Sequence, residues 1–473
     1  MNARLCTRSR LRLPLGLLAL LPFLVLGALA ERPDGKPNVV IFYVDDMGYA
    51  DPSCFGNPDM ETPFIDRFAK EGLKLTNYYT NSPICSPSRV ALNTGQAPGR
   101  HKVWAHFASK EQNRARNMVD YLDPNVQTMA KSFEANGYAT AHFGKWHMGG
   151  GRDVVAPLPQ AYGFQESLVS MEGLGDRFLW SRKGLNGQSA KLGHGNIEFG
   201  EKYETTGKYV DRAIDFMKRN QDKPFYLHVF PNDVHDAHAP KEEWLEKYSE
   251  YSNNPFTQKF YAILDNMDRQ FGRLVDAVDD LGLGEHTIVV FTSDNGPTDW
   301  PLYYKEGFTP PGWTGPFYGR KWSLYEGGIR MPFIVRWTGK VPRNQTDETS
   351  IVSAVDLFPS LHAMANAELP RNWKFDGEDL SKVLLGKGGK RSAPVFWEYA
   401  GNPGILKPGN PDFESPTNAM RDGDWKLLTN DDGSDTKLFN LKKDIGETTN
   451  LATRYPERAE RMKQRLLAWR TSL

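Results

Sequence analysis

Residues 38–44, Asn-Val-Val-Ile-Phe-Tyr-Val, form an unbroken apolar run rich in β-branched side chains, and the run ends on Asp45-Asp46-Met47-Gly48. A strand with water on one face alternates polar and apolar positions; one without alternation is covered on both faces, as in a parallel sheet. The pattern predicts further strands over 72–80, 139–143, 225–230, 287–292 and 332–336. Between them, apolar positions recur at helical spacing over 62–71, where Phe64, Ile65 and Phe68 share a side, and over 126–136, 204–220 and 259–281, with another such stretch after the last strand at 353–365. Strand and helix in alternation imply an α/β fold: a large, mostly parallel central sheet with helices on both faces.

Beyond about residue 388 the periods shorten. Strand-like pieces at 394–399, 418–422, 425–429 and 437–440 are separated by polar turns, and helical spacing returns over 456–473. This predicts a smaller antiparallel sheet with a C-terminal helix, and a division into a catalytic domain over 31–387 and a C-terminal subdomain over 388–473. The length supports two units, because it exceeds one ordinary hydrophobic core. The Gly-rich, polar stretch 149–200 reads as irregular surface loops suited to substrate contact. There are no internal repeats and no low-complexity tract.

The first thirty residues follow a different pattern. Arg4, Arg8, Arg10 and Arg12 precede an apolar run over 13–29, and Ala28-Leu29-Ala30 closes it with small residues. That is the pattern of a secretory signal peptide over 1–30, so the mature chain is expected to begin at Glu31 and to be exported, periplasmic or secreted. No other stretch is apolar for long enough to serve as a stable membrane anchor. Lysines plus arginines number 58, as do the acids; without the leader's four arginines the balance is 54 to 58. Mild acidity argues against nucleic acid as the main partner. Of three cysteines, Cys6 belongs to the leader, which leaves Cys54 and Cys85 and no disulfide framework.

Candidate chemistry sits at the ends of the expected strands. Asp45 and Asp46 close the first, and Asp294-Asn295-Gly296 follows 287–292. In an open α/β sheet the carboxyl ends of strands face the ligand crevice. Three carboxylates and an amide are hard oxygen donors suited to Ca²⁺ or Mg²⁺. Taken singly, each motif has a plainer reading, since Asp-Asn-Gly-Pro is a strong turn signal and Asp-Asp can cap a helix. Lys145 and His147 follow 139–143 and, two apart in an extended segment, can point into one pocket. Cys85 is expected at or beside a helix N-terminus, where free N–H groups favour an anion, and Arg89 adds a fork matched to a tetrahedral oxyanion.

The run Cys85-Ser86-Pro87-Ser88-Arg89, with Leu92, Thr94 and Gly95 behind it, reads C-S-P-S-R-x-x-L-x-T-G. It resembles the motif of the type I, formylglycine-dependent sulfatases of the alkaline phosphatase superfamily. Gly144-Lys145-Trp146-His147 and the G-x-K-x-x-x-x-E-G-G-x-R-x-P pattern from Gly319 to Pro332 extend the likeness over nearly all of 37–385. The resemblance implies an arylsulfatase-like sulfuric ester hydrolase with an alkaline phosphatase/sulfatase-like fold. It implies a maturation enzyme that converts Cys85 to formylglycine, and one calcium ion held by Asp45, Asp46, Asp294, Asn295 and residue 85. Lys145 and Lys321 would hold sulfate oxygens beside Arg89, and His147 would act as base when the sulfated hemiacetal collapses. His235 would protonate the leaving oxygen; His238 is the other candidate, because Val-His-Asp-Ala-His-Ala-Pro is longer than the family's usual spacing. Glu326 and Arg330 are expected to stabilise their loop, His228 to pack in the core, and Trp104 and His106 to shape the pocket. Gln96 stands where many members have arginine. The expected substrate is a sulfated small molecule or glycan, a carbohydrate sulfate fitting an exported chain best. Two rival readings remain: a phosphonate monoester or phosphodiester hydrolase of the same superfamily, and a sulfoglycan-binding protein without catalysis.

Overall fold

The computed structural model describes residues 1–2 and 35–473. The expected cleavage point at Ala30 and the leader's apolar run lie outside the described residues. Eleven strands make the main sheet: β1 (Asn38–Val44), β2 (Leu73–Tyr79), β3 (Ala139–Lys145), β4 (Glu166–Ser170), β5 (Arg177–Leu179), β6 (Ile197–Phe199), β7 (Phe225–Phe230), β8 (Thr287–Ser293), β9 (Arg330–Arg336), β10 (Gln345–Asp347) and β11 (Val352–Ser353). Their spatial order is β10-β2-β9-β8-β1-β7-β3-β4-β5-β6, with β11 also pairing β2. β9 alone runs against its neighbours, antiparallel to both β2 and β8.

The absence of alternation in β1 has the cause expected. Val39, Ile41 and Tyr43 point into one core with residues of helices α2 (Cys85–Thr94), α3 (Met129–Ala135) and α6 (Ala354–Met364). Val40, Phe42 and Val44 point into a second core with α1 (Pro63–Glu71), α4 (Thr205–Arg219) and α5 (Pro255–Asp280). Both faces of the strand are dry, so hydrophobic burial selects apolar residues at every position. Cap chemistry fixes the helix starts. α5 begins four residues before the apolar spacing indicates, because Asn254 accepts a hydrogen bond from the Phe256 N–H and Pro255 takes the first helical position. α3 begins late for the same kind of reason, at the Thr128 cap.

The expectation of irregular loops over 149–200 is corrected by the structure. β4, β5 and β6 extend the sheet edge in parallel, and a helix spans Gly184–Lys191. The strands are five, three and three residues long, and no residue of β6 is fully buried. Backbone pairing at an edge demands little apolar patterning, so nothing periodic marks these residues.

In the C-terminal part, β12 (Val395–Glu398), β13 (Asn418–Asp422), β14 (Trp425–Thr429) and β15 (Lys437–Asn440) form an antiparallel sheet in sequence order. One face packs Met420, Leu427 and Leu438 against Ala459, Met462 and Leu466 of α7 (Pro456–Thr471). The other face carries Trp397, Ala419, Leu428 and Phe439 into the core that also holds α2. Among the described residues, no helix is long and apolar enough to cross a membrane.

Candidate active site

The strands β8-β1-β7-β3 lie side by side and parallel, so their carboxyl ends form one edge. Asp45 and Asp46 follow β1, Asp294 and Asn295 follow β8, Lys145 is the last residue of β3, and the loop carrying His235 leaves β7. Asp46 adopts a left-handed φ of 59°, a conformation its short polar side chain tolerates. The Gly144 position admits no side chain: an added Cβ would lie 1.9 Å from the Phe230 carbonyl oxygen, so glycine lets β3 close on β7 immediately before Lys145. Cys85 is the first residue of α2, whose N-terminus has no side-chain cap, and it is 2% exposed.

These residues converge. The Cys85 Sγ lies 3.5 Å from Asp45 Oδ1 and 3.7 Å from Asp46 Oδ1. Lys145 Nζ donates to both Asp45 oxygens at 2.8 and 2.7 Å, and Lys321 Nζ to both Asp46 oxygens at 2.5 and 2.6 Å. Lys321 Nζ also stands 3.5 Å from the Cys85 sulfur. Arg89 directs Nε and Nη2 at Asp294 Oδ2, 3.1 and 2.7 Å away, and anchors to the Lys145 carbonyl. Asn295 Nδ2 donates to Asp46 Oδ1 at 2.8 Å. Three acids and three bases thus balance in a buried cluster.

Burial dominates the electrostatics. It pushes the Cys85 thiol above its ordinary value against the pull of Lys145 and Lys321. It raises Asp294 to about 6 although Arg89 opposes it. Burial also works to raise Asp45, but Lys145, His235, Arg89 and Lys321 outweigh it and hold the carboxyl well below the usual range. His147 is kept neutral, far below its ordinary value, by burial and by the adjacent Lys145 charge.

His235 and His238 separate clearly. His235 Nε2 lies 3.5 Å from Asp46 Oδ2. His238 instead bonds the Val234 carbonyl and sets its ring against Phe260. Lys202, absent from the expected site residues, fixes this loop by donating to the carbonyls of His235 and Ala237 at 2.9 and 2.6 Å. It is a lone lysine in a polar segment, and no local pattern marks it. His228 is buried in β7 and packs on Phe230. Glu326 accepts from Tyr79, Arg330 and Lys426 and so ties its loop to β2 and β14. Gln96 donates to the Lys374 carbonyl. Cys54 and Cys85 are both free thiols.

Asp45, Asp46, Cys85 and His235 form a group able to hold a metal ion, their ligand atoms all within 4.8 Å of one another. Asn295, bonded through Nδ2 to Asp46, has its Oδ1 buried without a hydrogen-bond partner. An unsatisfied buried carbonyl oxygen is costly unless something binds it, and a hard cation is what such an oxygen suits.

Comparison with known proteins agrees with this architecture. The Sulfatase family model matches residues 37–367, and the model for the N-sulphoglucosamine sulphohydrolase C-terminal region matches 315–472. N-acetylgalactosamine-6-O-sulfatase of Bacteroides thetaiotaomicron is 28% identical over 89% of this chain and 91% of its own length. Human arylsulfatase A is 30% identical over 94% of this chain and 89% of its own. The crystal structure of Ps i-CgsB in complex with k-i-k-neocarrahexaose superposes with a TM-score of 0.75 at 24% identity, covering 92% of both chains. The resemblance carried by the Cys85 motif is therefore borne out: the chain belongs to the sulfatase family, whose members are sulfuric ester hydrolases.

Proposed function

We propose that this protein is an exported, formylglycine- and calcium-dependent sulfatase that removes sulfate from a sulfated carbohydrate. The observation that carries the reading is the buried cluster of Asp45, Asp46, Asp294, Arg89, Lys145 and Lys321 packed around Cys85. A thiol with raised pKa, paired with aspartates, is a poor nucleophile and a soft donor in a hard-oxygen setting. Formylglycine at position 85 would supply an oxygen nucleophile and an oxygen ligand there. Asp45, Asp46, Asp294, Asn295 and residue 85 would hold calcium, which would polarise a sulfate oxygen. Charge balance supports this: three acids against three bases leave nothing to attract an anion, whereas a divalent cation makes the cluster net positive.

The chain's own groups then divide the work. Lys145 and Lys321 bind sulfate oxygens: Lys321 Nζ stands 3.5 Å from the residue 85 side chain, and Lys145 Nζ sits on Asp45, which that side chain also touches. Arg89 holds Asp294 in place through its fixed fork. His235, partly exposed and adjacent to Asp46, is placed to protonate the departing alcohol. Neutral His147, with Nδ1 buried and unpartnered, is able to accept a proton. The relative named for N-acetylgalactosamine 6-O-sulfate favours a carbohydrate substrate here.

Mass analysis of the Cys85 peptide, from protein co-expressed with a formylglycine-generating enzyme, tests maturation. Matched aryl sulfate and aryl phosphate esters test the reaction. The expected outcome is an aldehyde at residue 85 and faster sulfate release. Unmodified cysteine from a competent host, or faster phosphate release, would sink the proposal.

A further inference from the structure

Arg116 is a nearly buried cation, 6% exposed, yet among the described residues it forms no ion pair. Its Nε donates to the Gly404 carbonyl at 3.1 Å and its Nη1 to the His106 carbonyl at 3.1 Å, with the His106 ring nitrogen 3.3 Å away. Trp104 Nε1 donates to the Arg116 carbonyl. These contacts fix the guanidinium without supplying negative charge. Nη2 makes no hydrogen bond and keeps some accessible surface, so it stands open. Its charged neighbour is a second cation, Arg152, whose like charge disfavours the ionised guanidinium, as burial does first. Arg152 is itself paired, to Glu172 at 2.7 Å.

The position is beside the catalytic cluster. The His106 ring centre is 6.4 Å from that of His147, and Lys145 and Lys321 both act on His106 electrostatically. Buried Tyr399 lies near both Lys321 and Arg116. An uncompensated, desolvated arginine costs stability unless an anion completes it. A pre-set guanidinium with an open edge is suited to a planar or tetrahedral oxyanion.

We infer that Arg116, held by His106 and Gly404, is a specificity residue that binds a second anionic group on the substrate, a carboxylate or sulfate on the sugar next to the one being desulfated. The inference rests on the sulfatase reading and narrows its substrate class to polyanionic glycans.

The test uses three disaccharides with the same reacting sulfate and a neighbouring sugar that is neutral, a uronate, or sulfated. Wild-type enzyme is expected to favour one or both charged neighbours in kcat/KM by roughly tenfold to a hundredfold. R116Q should lose that preference mainly through KM, and R116K should keep part of it. The favoured neighbour tells carboxylate from sulfate. Equal wild-type values on all three substrates, or an intact preference in R116Q, would overturn the inference. Calorimetry with the same disaccharides lacking the reacting sulfate gives a readout free of turnover. Charge-dependent binding lost in R116Q, in a protein that cleaves no sulfate ester, would sink the sulfatase reading and leave the anion subsite standing. Sulfate release without charge discrimination would do the reverse.

Discussion

Lys145 and Lys321 each grip one aspartate through both carboxylate oxygens, so each lysine neutralises a buried acid as well as facing residue 85. K321M should lower kcat/KM on an aryl sulfate by about 10²–10³, the usual loss when one charge-stabilising donor is removed. The same change leaves Asp46 without its closest base and should cost about 3–5 kcal/mol measured without calcium, with part of that regained when calcium is added. An unchanged kcat/KM would remove Lys321 from the sulfate site. At this scale the sequence was legible wherever chemistry is contiguous. Cys85 with Arg89, Asp45 with Asp46, Asp294 with Asn295, and Lys145 with His147 each announce themselves as a motif, and the fold brings all of them together. Arg116 and Lys202 do not, because a lone basic residue becomes meaningful only through partners far away in sequence, such as Gly404 and His235.

The loop after β7 depends on a neighbour for its shape. Lys202 clamps it through two carbonyls, one belonging to His235 itself. K202M should therefore misplace the acid without touching sulfate. The loss in kcat should grow with the pKa of the leaving alcohol, since poor leaving groups need protonation most. A loss uniform across a series of aryl sulfates would indicate general loosening instead. Elements with a strong internal signal were readable: β1 and β8 by continuous apolar character, α4 by its amphipathic period. The start of α5 was not, because the Asn254 cap rather than the apolar spacing decides it. Nor were β4, β5 and β6, whose stabilisation is mostly backbone pairing at the sheet edge. The opposite direction of β9 is likewise invisible in a strand buried on both faces, because burial reports depth and not polarity.

The molecule's two main cores are separated by the large sheet, and the C-terminal strands contribute to one of them. Trp397 is fully buried, donates its indole N–H to the Thr80 carbonyl at 2.7 Å and packs on Tyr79. W397A should cost about 3–5 kcal/mol in chemical denaturation, within the range of large aromatic deletions in cores. A chain ended after residue 387 should fail to give a cooperative unfolding transition, because it exposes the face that Trp397, Ala419 and Leu428 cover. Calcium belongs to this scale too. A ligand that binds only the folded state raises Tm with its concentration, so a chelator should lower Tm and abolish sulfate release together. Activity that survives exhaustive chelation would exclude the metal from the reaction.

The burial of Cys85 sets an order of events in the life of the chain. At 2% exposure, beside Lys321 and at the carboxyl edge of the main sheet, this residue is out of reach of any second protein once folding is complete. A maturation enzyme would have to meet the motif while it is still an extended peptide. The strands that complete the core around it, β12 to β15, lie more than 300 residues further on and leave the ribosome well after it. Synthesis itself thus opens an interval in which residue 85 is presented and the structure that hides it does not yet exist. Purified, folded cysteine-form protein should accordingly resist conversion, whereas a short peptide spanning the motif should be converted readily.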